Sequence, residues 1–81
     1  MRAIVSVTFK AGVLDPQGKA VHEALESLGF DNLEQVRQGK LIELVLKDGN
    51  EEIARASVEK MCQQLLANMV IEDYSIEIFK N

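Results

Sequence analysis

The chain has few of the groups on which small-protein chemistry usually rests. A single cysteine, Cys62, excludes an internal disulfide framework and any zinc site built on several thiolates. The only histidine, His22, has no second histidine, cysteine or carboxylate at metal-ligand spacing, and reads as a solvated helix position. No apolar run exceeds four residues, so no segment is long enough to span a bilayer. A secretory signal is also missing, and a cytoplasmic location is expected. Cations are the minority: nine Lys and Arg face thirteen Asp and Glu, for a net charge of −4. That balance disfavours nucleic acid, whose affinity comes from neutralised phosphates. What remains is ordinary globular composition, 47% apolar and 27% charged. The 81 residues allow one domain, taken as 1–81. A domain of this size buries only about 60% of its unfolded surface, so association would help it.

The periods divide the chain cleanly. Residues 2–10 alternate, with Val5, Val7 and Phe9 opposite Ser6, Thr8 and Lys10, as in a half-buried strand. Asp15 is placed to cap a helix over 16–28, and Pro16 suits its first position, where an N–H would have no partner. Ala20, Val21, Ala24, Leu25 and Leu28 form its apolar stripe, and Gly29 stops it. A short strand is expected near 33–38, a tight turn at Gln38-Gly39, and a long strand over 40–48 with Ile42, Leu44 and Leu46 on one face. Asp48-Gly49-Asn50 offers a cap to a second helix over 51–67, whose buried stripe is read as Ile53, Ala54, Ser57, Val58, Met61, Cys62, Leu65 and Leu66. A last strand occupies 72–80.

The order β-α-β-β-α-β predicts an α+β, ferredoxin-like plait. Four antiparallel strands in the order 4-1-3-2 would carry both helices on one face. The other face would hold Ile4, Leu41 and Val45 beside Ser6, Thr8 and Glu43, a candidate dimer face. No arrangement of residues suggests catalysis. Cys62 sits in an apolar stripe with nothing nearby to activate it, and the serines lie in no nucleophile motif. Glu51 and Glu52 are explained by the dipole of the helix they open. No metal site and no cofactor is expected on this chain. Two segments are candidates for partner contact. One is the helix start with Asp15, Gln17 and Gly18; the other is the turn where Arg37 and Lys40 place two cations in an acidic chain.

Several stretches carry a resemblance that spans nearly the whole chain. They are Val13-Leu14-Asp15-Pro16-Gln17-Gly18, Leu28-Gly29-Phe30, Val36-Arg37-Gln38-Gly39-Lys40, and Met61 to Asn68 followed by Val70-Ile71-Glu72-Asp73-Tyr74. In this order they resemble the PurS family, the small subunit of phosphoribosylformylglycinamidine synthase. Met69 departs from the proline common there. The resemblance implies a non-catalytic subunit of an ATP- and glutamine-dependent carbon–nitrogen ligase of purine biosynthesis. Such a subunit dimerises, bridges a large synthetase subunit and a glutaminase subunit, and supports ammonia transfer between them. ATP and magnesium are then expected on the large subunit, and neither nucleic acid nor membrane is a partner. Three rivals share the plait. An ACT-like small-molecule-binding regulatory domain would use the loop Leu14 to Gly18, but such domains are usually attached to an enzyme. An acylphosphatase-like enzyme would need an arginine in the first loop, where only Lys10 stands. An RNA-binding plait would need aromatics where Ser6, Thr8, Leu41 and Glu43 stand.

Overall fold

A computed structural model of the chain describes residues 1–47 and 49–80. Its elements are β1 (Arg2–Phe9), α1 (Pro16–Ser27), β2 (Lys40–Val45), α2 (Glu51–Met61), which runs on into a π-helical turn over Cys62–Leu66, and β3 (Glu72–Phe79). The sheet has three strands in the order β2-β1-β3, both pairings antiparallel. This is the expected plait order with one strand missing. The segment 33–38 forms no strand. Its backbone groups are used elsewhere: the Gln38 N–H donates to Asp15 Oδ2 at 2.9 Å, and the Val36 carbonyl lies against Gly18. The turn expected at Gln38-Gly39 is replaced by a close approach, in which Gly39 lies against the Val7 carbonyl with no room for a side chain. Asp48, at the end of the expected second long strand and among its proposed caps, lies outside the described residues, as does Asn81.

The core lies between one sheet face and α2. Ala3, Val5 and Val7 of β1 are buried against Val58 and Cys62, with Ala67 closing one end. Ile42, Leu44 and Leu46 on one side, and Tyr74, Ile76 and Ile78 on the other, are half-buried around them. Asn50 caps α2 by accepting from the Ile53 N–H at 3.1 Å, and Glu51 and Glu52 occupy its first turn. The π turn closes with a bond from the Ala67 N–H to the Cys62 carbonyl at 2.9 Å, five residues back. That wide turn shifts the helical phase. Leu66 faces the core and Leu65 is 83% exposed, so the stripe expected from a regular helix fails at Leu65. Ile53 and Met61 are exposed as well.

The larger departure concerns α1. Two helices were expected on one sheet face, but only α2 packs there. Within α1, Gly18 alone is buried and His22 and Leu25 are half-buried; Val21, Ala24 and Leu28 are exposed. The helix ends as expected: Gly29, at φ 101°, turns the chain so that the Phe30 N–H donates to the Leu25 carbonyl at 3.1 Å. The result is an elongated molecule of 48 × 28 × 14 Å. Its radius of gyration is 15.9 Å, against about 12 Å for a compact domain of this length. No helix among the described residues is long and apolar enough to cross a membrane.

Candidate functional site

Two segments more than twenty residues apart in sequence meet at one end of the sheet. Asp15 joins them. One carboxylate oxygen caps α1 by accepting from the Gly18 N–H at 2.9 Å, and the other accepts from the Gln38 N–H, also at 2.9 Å. The bond from Gln38 and then the bond from Gly18 hold the Asp15 carboxyl below its ordinary value of 3.8. The side chains of Gln38 and Gln17 lie 3.4 Å apart, in hydrogen-bond contact. Arg37 donates from its guanidinium to the Phe9 carbonyl, which fastens the same segment to the end of β1. Gly18 is obligatory here, because a Cβ would lie 2.5 Å from the Val36 carbonyl oxygen.

The junction therefore gathers Asp15, Gln17, Gly18 and Arg37, and Lys40 follows at the start of β2. A groove of about 250 Å³ runs along one flank, lined among others by Lys10, Lys19, His22, Glu34 and Arg37. A second of about 230 Å³, on the other flank, is lined by Gln17, Gln38, Lys40 and Glu72 with the end of β1. His22 is not the solvated side chain its sequence position suggested. It is three-quarters covered, its Nε2 is buried without a hydrogen-bond partner, and the nearest carboxylate is Glu26, 3.7 Å away. Cys62 is buried, and that burial, with the Glu59 carboxylate, pushes its thiol above the ordinary value of 9.0. Among the described residues no three metal-ligating side chains cluster.

The sheet face away from α2 carries the other predicted residues. Ile4 is half-buried at its centre; Leu41 is 67% and Val45 82% exposed on the flanking strand. Alternation puts Ser75, Glu77 and Phe79 on the side of the last strand opposite Tyr74, Ile76 and Ile78, which is this face. The register adds what alternation does not fix: Glu77 stands across β1 from Glu43, and Phe79 joins the apolar set, its ring 5.0 Å from the Arg2 guanidinium.

Comparison with known proteins decides what the chain is. The family profile described as "PurS: Phosphoribosylformylglycinamidine (FGAM) synthase" matches residues 2–80. The chain belongs to the PurS family. It is thus a subunit of FGAM synthase, a ligase complex of purine biosynthesis. The PurS subunit of Methanocaldococcus jannaschii is 43% identical over 98% of this chain and 95% of its own length. That of Synechocystis is 50% identical over 91% and 74%. The crystal structure of the M. jannaschii PurS matches with a TM-score of 0.89 at 42% identity, covering 99% of this chain and 96% of that one. A chain of the Thermotoga maritima PurLQS structure matches with a TM-score of 0.86 at 30% identity, covering 94% and 93%.

Proposed function

We propose that this PurS chain is a non-catalytic, cytoplasmic adaptor. It works as a homodimer that holds the synthetase and glutaminase subunits of FGAM synthase together and supports the passage of ammonia between them. The single observation that carries the reading is the uncovered surface of the lone chain. Its accessible area is 5969 Å², against about 4,900 Å² for a compact monomer of its mass. The excess of about 1,100 Å² is of the size that one partner gives up in a standard interface, about 800 Å². Much of it is α1, whose Val21, Ala24 and Leu28 find no cover within the chain. The sheet has a matching vacancy: α2 packs toward β3, and Ile42, Leu44 and Leu46 on the β2 side are half-covered. Reciprocal exchange, with α1 of each copy laid over the β2 side of the other, covers both at once.

Assembly with larger subunits is supported by the Thermotoga relative, which is part of a PurLQS structure. The junction of Asp15, Gln17, Gly18, Arg37 and Lys40 is the proposed contact toward them. Its contribution is positional: two active sites held close let ammonia reach the synthetase before solvent takes it. ATP and magnesium belong to the large subunit in this reading.

The test is a mixing assay with purified synthetase and glutaminase subunits. Adding this chain should raise glutamine-dependent product formation and leave ammonia-dependent formation unchanged. Lys40→Glu, which spares the Arg37–Phe9 bond, should weaken that stimulation. Full glutamine-dependent activity without the chain would overturn the reading.

A further inference from the structure

The sheet face opposite α2 is bare, and its residues form rows across the three strands. The register places Leu41, Ser6 and Ser75 in one row, Glu43, Ile4 and Glu77 in the next, and Val45, Arg2 and Phe79 in the third. An apolar set, Ile4, Leu41, Val45 and Phe79, is thus crossed by a row with a carboxylate on each side of Ile4. Neighbouring strands lie about 4.8 Å apart, so the Glu43 and Glu77 backbones are about 10 Å apart. Two cations of this face are already engaged. Arg2 lies over the Phe79 ring, and Lys10 pairs with Asp73 at 2.8 Å. Neither Glu43 nor Glu77 has a cation within 4.0 Å among the described residues.

This charge pattern decides between occupants. A second copy packed face to face through a two-fold axis would present the same row to itself. Packed sheets lie about 10 Å apart, so four carboxylates would converge around the two Ile4 side chains, in a space from which water is removed. A surface with apolar side chains between lysines or arginines has the opposite pattern and would pair both glutamates. We infer that the outer sheet face, with Glu43 and Glu77 astride Ile4, docks a basic, apolar-centred surface of the larger subunits that the chain holds together, and that the second copy binds elsewhere. The inference rests on the adaptor reading above and gives that reading a surface.

The experiment compares the wild-type chain with the double variant Glu43→Lys/Glu77→Lys and with Glu43→Gln/Glu77→Gln. Both positions are exposed, and circular dichroism checks each fold. Binding to the purified synthetase and glutaminase subunits, supplied together, is measured at low and high salt, and self-association is measured by sedimentation of the chain alone. The expected result is unchanged self-association for both variants. Affinity for those subunits should fall on the order of tenfold or more for the lysine variant and less for the glutamine variant. High salt should weaken the wild type more than the glutamine variant. Unchanged affinity in both variants would overturn the inference, and so would a changed oligomeric state of the isolated chain. A wild-type chain that fails to bind those subunits at all overturns the adaptor reading itself, and that result is read before any variant.

Discussion

At the scale of single residues, Asp15 does more than its sequence position announced. A cap for α1 was legible, because an aspartate before a proline and a helical stripe has one obvious use. Its second bond was not, since nothing local says that the Gln38 N–H arrives at the same carboxylate. Both bonds favour the charged form. The stabilisation they give is therefore fully present above the ordinary carboxylate value, and it is lost as pH falls through the lower value of the folded state. Asp15→Ala should lower the thermal midpoint near neutral pH, and the gap between variant and wild type should close as pH drops below 3.8. A thermal melt at several pH values reads this directly; a gap that persists in acid would assign the effect to packing instead. Cys62 shows the opposite case, a residue whose inert role could be read from its neighbours alone.

Among the elements, periodicity located five of the six expected segments to within a few residues, because each carries an apolar face of the right period, although that of α1 does not reach the core. The strand near 33–38 failed because its pattern is short, its Gln38 N–H is taken up by Asp15, and the Arg37 side chain ties it to the end of β1. No local signal competes with such long-range bonds. The π turn produced a subtler error. A regular helix places both Leu65 and Leu66 inward, but with one wide turn only Leu66 keeps that place. The phase shift has a simple consequence for stability. Leu66→Ala should cost about 2 kcal/mol, whereas Leu65→Ala should stay within about 0.5 kcal/mol, as measured by denaturant unfolding of the isolated chain. Equal costs would mean that the turn relaxes to regular helix in solution.

For the whole molecule, amphipathicity told correctly that α1 has an apolar stripe and wrongly that the same chain covers it. Sequence pattern shows that a face is apolar; it does not say what covers it, which in the homodimer proposed above is the second copy. Val21→Asp combined with Leu28→Asp should therefore convert a dimer into a species of 9.0 kDa in light scattering. The core under α2 should stay folded. A mass unchanged by the double substitution would place the self-contact away from α1. The exposed stripe also links folding to abundance. Because α1 has no cover within its own chain, every copy below the association threshold carries a greasy arm that chaperones and proteases can seize.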